Sequence, residues 1–185
     1  MNQKTKKLTL SGVCLALCLV LPFLTGQIPE IGSALSPMHI PVLLCGFLCG
    51  WQYGLVVGLI APVLRFLLFQ MPPLFPTGTA MAFELAAYGV SVGILYRRLP
   101  KKNSNLYVSL IGAMLVGRVV WGCVQLILSG ITQNPFTWQA FLAGAFVTAI
   151  PGIICHILII PPIVIALKKA GFIEDETIPE NYQAA

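Results

Sequence analysis

Four ionisable side chains lie inside strongly apolar stretches of this chain: Arg65, Glu84, Arg118 and His156. A charge within a membrane span is costly to insert, so such residues usually mark a ligand site or an ion pathway. Two arginines against one carboxylate leave one positive charge over, which favours an anionic or carboxylate-bearing ligand. The residue types therefore predict one polar, membrane-embedded ligand site.

Helical spacing adds two wall residues, because Trp121 and Gln125 follow Arg118 by one and two turns on the same face. Two alternatives remain open. In the first, Glu84 forms an ion pair with Arg65 or Arg118 that holds helices together and binds no ligand. In the second, His156 is an ordinary hydrogen-bonding residue or a proton carrier and does not contact the ligand. The predicted substrate-binding set contains Arg65, Glu84, Arg118, Trp121, Gln125 and His156.

The elements that carry these residues are membrane spans. The 185 residues are 57% hydrophobic and 9% charged, with a mean hydropathy of +0.88, well above the apolar share of a soluble domain. The net charge of +5 sits in short clusters between apolar runs, which argues against a nucleic-acid surface. We predict an all-α integral membrane protein, a bundle of six transmembrane helices near residues 8–24, 38–49, 53–69, 79–96, 106–129 and 138–167.

The basic residues orient this bundle. With six spans, the lysines and arginines outside the apolar runs all fall on one side, at residues 4–7, 97–102 and 168–169. By the positive-inside rule both termini are cytoplasmic, and the protein is a multi-pass protein of the cell membrane. We assign residues 1–172 to the six-helix membrane domain and 173–185 to an acidic cytoplasmic tail.

No catalytic, cofactor or metal motif stands out. The sequence contains no H-E-x-x-H and no phosphate-cradling G-x-x-x-x-G-K, so we predict neither an enzyme nor a cofactor. Cys14/Cys18 and Cys45/Cys49 have the i, i+4 spacing of metal ligands but are better read as small buried hydrophobes. A competing interpretation is a stand-alone proton-coupled transporter of a small metabolite that uses Glu84 or His156; the absence of an inverted repeat argues mildly against it.

One stretch carries a family resemblance. The run His39-Ile-Pro-Val and the glycines Gly46, Gly50 and Gly54, together with Met71-Pro-Pro-Leu-Phe-Pro, a basic N-terminus and six spans, resemble the substrate-binding S component of an energy-coupling factor (ECF) vitamin transporter. The resemblance covers nearly the whole chain.

This resemblance implies a function. Such a protein binds a vitamin or related micronutrient in a pocket near the outer surface, lined by spans 4, 5 and 6 and closed by the loop between spans 1 and 2. It works with a transmembrane coupling protein and two cytoplasmic ATPases, and it topples to release its cargo. The Ala-x-x-x-Ala contact of the first span corresponds here to Gly12 and Ala16. The arginine excess gives a slight preference for a small carboxylate such as pantothenate.

Overall fold

The computed structural model describes residues 2–25, 32, 34–100, 102–132 and 137–172, and within these ranges the chain is helical with no strand. A short 3-10 turn at Leu21–Thr25 follows the first helix, and wide turns at Leu74–Gly78 and Ala143–Val147 precede the fourth and seventh. Among the described residues, the helices used below are α1 (Gln3–Val20), α2 (His39–Cys49), α3 (Trp51–Phe69), α4 (Thr79–Arg98), α5 (Asn103–Thr132), α6 (Trp138–Leu142) and α7 (Ile150–Lys169).

Five segments are long and apolar enough to cross a membrane: Gln3–Leu24, Trp51–Phe69, Leu74–Arg98, Asn103–Ile131 and Ala143–Lys169. The all-helical membrane class predicted from the sequence is therefore confirmed. The sixth predicted span is α2, an apolar helix of 11 residues, so a sixth crossing stays a prediction.

Helix α2 is the hub of the fold. It packs against α1, α3, α4 and α7, and nearly every side chain along it is buried, from His39 at its start to Cys49 at its end. A helix that is apolar all round belongs inside a bundle, which explains how a short helix can organise longer ones. Gly50, with φ of 96°, then turns the chain directly into α3.

Helices α3 and α4 meet backbone to backbone along a glycine seam. A Cβ on Gly54 would lie 2.8 Å from the backbone of Gly89, and a Cβ on Gly89 would lie 2.4 Å from the backbone of Gly54. A Cβ on Gly58 would lie 2.6 Å from the backbone of Leu85 and Ala86. Small residues at such spacing let membrane helices approach closely. This seam holds α4, and with it Glu84, at a fixed position beside α3.

Replacing Gly89 with alanine should lower the thermal midpoint of the purified chain by several degrees. The added methyl group would clash with the backbone of Gly54, which cannot rotate away, and overpacking of this kind costs about 1–3 kcal/mol. Gly130→Ala is the matched control, because a Cβ there has no atom within 4 Å. Equal midpoints for both variants in a fluorescence-monitored thermal melt would contradict the proposed close packing.

The helix ends that carry basic residues meet at one end of the bundle. Lys6 Nζ near the start of α1 donates to the carbonyl of Gly171 just beyond α7, at 2.8 Å. The thiol of Cys49 at the end of α2 donates to the carbonyl of Lys7, at 3.4 Å. The Arg97 guanidinium at the end of α4 lies beside Gly50. The predicted grouping of these charges on one side therefore agrees with the packing.

The last predicted span, residues 138–167, is interrupted in the structure before its second half. The short helix α6 and the wide turn Ala143–Val147 precede α7, which begins at Ile150 with Pro151 in its first turn. Pro161 and Pro162 lie within α7, which continues past both. The predicted acidic tail and most of the predicted loop at 26–36 lie outside the described residues.

Candidate functional site

A buried polar cluster occupies the bundle at the end opposite the basic residues. Its centre is the carboxylate of Glu84, whose Oε1 lies 2.9 Å from a terminal guanidinium nitrogen of Arg118 and accepts a hydrogen bond of 3.1 Å from the Tyr88 hydroxyl. His39 Nε2 lies 3.6 Å from the same oxygen. With His156, which stacks on His39, these residues form what we call the polar cluster: His39, Glu84, Tyr88, Arg118 and His156.

The two histidines are held by ring contacts and by one backbone carbonyl. Their ring centroids are 5.8 Å apart with an interplanar angle of 22°, and His39 also meets the Tyr88 ring edge to face at 5.1 Å. The carbonyl of Ser36 accepts from the backbone N–H of His39 at 3.0 Å and lies 3.3 Å from His156 Nε2. Because a carbonyl can only accept, Nε2 is the protonated nitrogen of His156.

Four helices position the cluster. His39 opens α2, Glu84 and Tyr88 share one face of α4 at i, i+4, Arg118 lies midway along α5, and His156 lies in the second turn of α7. At about 1.5 Å of rise per residue, Glu84 lies about 8 Å from the start of α4. The site is therefore recessed from the end of the bundle where α2, α4 and α7 begin.

The segment before α2 covers one side of this site. A Cβ on Gly152 of α7 would lie 2.6 Å from the carbonyl oxygen of Ala34, so this segment and α7 touch through their backbones. The contact places Ser36 where its carbonyl can reach both histidines.

Three buried polar atoms of the cluster lack a hydrogen-bond partner among the described residues: Nδ1 and Nε2 of His39 and Nε of Arg118. The His39 residue is only 3% exposed, and the Arg118 side chain only 11%. Buried polar groups are nearly always paired in native proteins, so atoms left over in a closed polar site point to a molecule that would pair with them. The arrangement can therefore bind a polar molecule.

Arg65 has a different environment from the one predicted. Its guanidinium donates to the carbonyl of Leu19 in the last turn of α1 and lies over the rings of Phe23 and Phe69, 5.2 Å and 5.4 Å from their centroids. The last carbonyls of a helix lack intrahelical partners, so they attract a nearby donor. No contact between Arg65 and the polar cluster occurs within the described part of the chain, and its predicted role in ligand binding stays a prediction.

Replacing Arg65 with methionine should lower the midpoint of detergent-induced unfolding. The change removes a charged hydrogen bond, typically about 1.5–3 kcal/mol, together with two cation–π contacts. Arg98→Met is the control, since Arg98 is an exposed residue at the end of α4. A midpoint equal to that of the control would mean that these contacts contribute nothing to stability.

The two predicted wall residues lie further along α5. Trp121 stacks on Phe141 at 6.3 Å, and Phe141 stacks on Trp138 at 5.2 Å, which forms an aromatic row between α5 and α6. Gly144 provides room for the Trp121 ring. Gln125 is half-buried and has no hydrogen bond among the described residues. Trp121 thus remains a candidate wall residue, and both assignments stay predictions.

Sequence reasoning missed two members of the cluster, His39 and Tyr88. Tyr88 was not assigned to the site, although it follows Glu84 by four residues and so had to share its helix face. His39 was part of the stretch that carries the family resemblance but was not assigned to the site. The sequence feature that could have identified His39 is its position as a titratable residue at the start of an otherwise apolar helix.

Four of the cysteines pack into the hydrophobic core. Cys14, Cys18, Cys45 and Cys49 are buried with free thiols in the hydrophobic core. Among the described residues no group of three or more His, Cys, Asp or Glu side chains could hold a metal ion. These thiols therefore act as core residues.

The fold is that of a multi-pass membrane protein with a recessed polar cluster between its helices. Lipid-facing apolar side chains such as Val119 and Leu126 on α5 fit that class. The chain belongs to the ECF transporter substrate-specific component family, whose model matches residues 6–164. The family consists of transport components, not of enzymes. No curated protein and no solved structure matches the chain.

Proposed function

We propose that this chain is the high-affinity capture subunit of an ECF-type importer for a vitamin or related micronutrient. The observation that carries the proposal is the polar cluster, in which α2, α4, α5 and α7 bring hydrogen-bonding groups to one recessed position. A membrane protein tolerates such a cluster of buried polar groups where it serves a ligand or an ion. Membership of the substrate-specific component family favours the ligand.

The orientation follows from charge. The basic end of the bundle faces the cytoplasm, so both termini are cytoplasmic and the polar cluster faces the outside. Energy would come from partners, because the sequence has no phosphate-cradling motif of its own. The partners are a coupling membrane protein and two cytoplasmic ATPases. Gly12 and Ala16 form the contact with the coupling protein, since both are exposed on α1 and a Cβ on Gly12 would have no atom within 4 Å.

The earlier preference for a small carboxylate such as pantothenate depended on an unpaired arginine in the site. Arg118 is paired with Glu84, and Arg65 contacts α1 and two aromatic rings instead. Without a spare arginine beside the cluster, this reason to prefer a carboxylate no longer holds.

Transport assays in reconstituted vesicles test the proposal. Vesicles that contain this chain, the coupling protein and both ATPases should accumulate the bound vitamin only with ATP, and omission of this chain should abolish uptake. Uptake by this chain alone, driven by a pH gradient without ATP, would contradict the proposal and support the proton-coupled alternative. In that case Glu84 or His156 would be the proton carrier.

A further inference from the structure

The polar cluster is balanced in charge. The Glu84 carboxylate and the Arg118 guanidinium are in direct contact, and the other members, His39, Tyr88 and His156, carry no permanent charge. Arg65, the other arginine within the apolar spans, directs its charge to α1 and two aromatic rings. A ligand that enters the cluster therefore meets no spare positive charge among the described residues.

The free hydrogen-bonding capacity of the cluster is mixed. Arg118 Nε is a donor, and a neutral His39 offers one N–H donor and one acceptor nitrogen; within the described part of the chain these atoms have no hydrogen-bond partner. A ligand group that accepts from Arg118 and exchanges a donor or an acceptor with His39 would satisfy them. A carboxylate supplies acceptors only, and it would bring a second negative charge beside Glu84.

We infer that the cluster selects an uncharged polar group, such as an amide, a lactam or an amino-substituted heteroaromatic ring, over a carboxylate. The inference rests on the proposed capture function and specifies its substrate class. Its physical basis is that a buried charge needs a counter-charge, and Arg118, which carries the permanent positive charge of the cluster, is already paired with Glu84.

Matched pairs of small molecules test this inference. The full-length chain, purified in detergent, is titrated with nicotinamide and nicotinate, pantothenol and pantothenate, and biotin amide and biotin, and binding is followed by tryptophan fluorescence and thermal shift. In each pair that binds, the uncharged member should bind at least tenfold more tightly. Equal or tighter binding of the carboxylate overturns the inference but leaves capture intact. If no member binds, the result counts against the proposed capture function itself.

Changing the charge of the cluster should change the preference. Glu84→Gln keeps the shape of the side chain and an acceptor for Tyr88, but it leaves Arg118 without its counter-charge. We expect the ratio of carboxylate to amide affinity to rise at least tenfold. An unchanged ratio overturns the inference. Arg98→Gln, which alters an exposed charge at the far end of α4, should keep the wild-type ratio.

Further variants keep the inference testable if Glu84→Gln fails to fold. The double variant Glu84→Gln/Arg118→Gln removes both charges and leaves the cluster neutral, so it should keep the preference for the uncharged member. His39→Leu should weaken binding of that member about tenfold, whereas His39→Gln, which retains a donor and an acceptor, should recover most of the loss. A charge-neutral double variant that prefers the carboxylate, or a His39→Leu variant with wild-type affinity, would overturn the inference.

Discussion

Replacing Arg118 with methionine should destabilise the protein by about 3–5 kcal/mol, because Glu84 would remain buried without its counter-ion. Glu84 is only 2% exposed, and neither the Tyr88 hydroxyl nor the His39 ring, 3.6 Å away, carries the permanent charge of a guanidinium. The carboxylate must then take up a proton or stay ionised in an apolar interior. Either outcome lowers the free energy of unfolding, which detergent-induced unfolding of the purified chain measures.

The double variant Glu84→Gln/Arg118→Met is the matched control for this prediction. It removes both charges and keeps an acceptor for the Tyr88 hydroxyl, and replacing a buried pair as a whole is often nearly neutral. It should therefore regain most of the lost stability. Arg118→Met with wild-type stability, or a double variant no more stable than the single one, would show that the Glu84–Arg118 contact is not the buried ion pair described here.

Introducing tryptophan at both Gly12 and Ala16 should abolish assembly with the coupling protein and reduce ATP-dependent uptake at least tenfold. Both residues are exposed on α1, and the space beside Gly12 is open, so the isolated chain can accommodate the larger rings. A partner helix that packs closely on this face could not. Co-purification of the coupling protein with the tagged chain measures assembly, and vesicle uptake measures its consequence.

The control for the α1 surface is Val108→Trp, which places the same ring on the exposed face of α5. That variant should assemble and transport like the wild type, and the thermal midpoints of both variants alone should match the unmodified chain. Normal assembly of the Gly12/Ala16 variant would place the partner contact on another surface.

Hydropathy and helix-breaking residues were enough to predict the helices. The spans predicted at 53–69 and 79–96 became α3 and α4 with ends within two residues, because long apolar runs between glycines and prolines leave few alternatives. Gly54 and Gly58 could be placed on one face of α3, but Gly89 as their partner could not. The depth of α2 within the bundle also depends on its neighbours, which a single sequence does not specify.

The candidate site could be predicted only in part. Glu84, Arg118 and His156 were expected to meet, and they do, because each occupies an apolar helix at a similar distance from the same end of the bundle. Arg65 met the same criteria, yet its contacts lie elsewhere. A guanidinium on a long side chain can reach several partners. The Leu19 carbonyl and the aromatic rings became partners of Arg65 only because α1 packs beside α3.

Small-molecule mass spectrometry of the chain purified alone, without added ligand, tests the capture function most directly. The account predicts one vitamin-like molecule per chain, and a titration that reports through Trp121, beside the cluster on α5, should give submicromolar affinity. An empty protein whose tryptophan fluorescence responds to no vitamin would contradict the account.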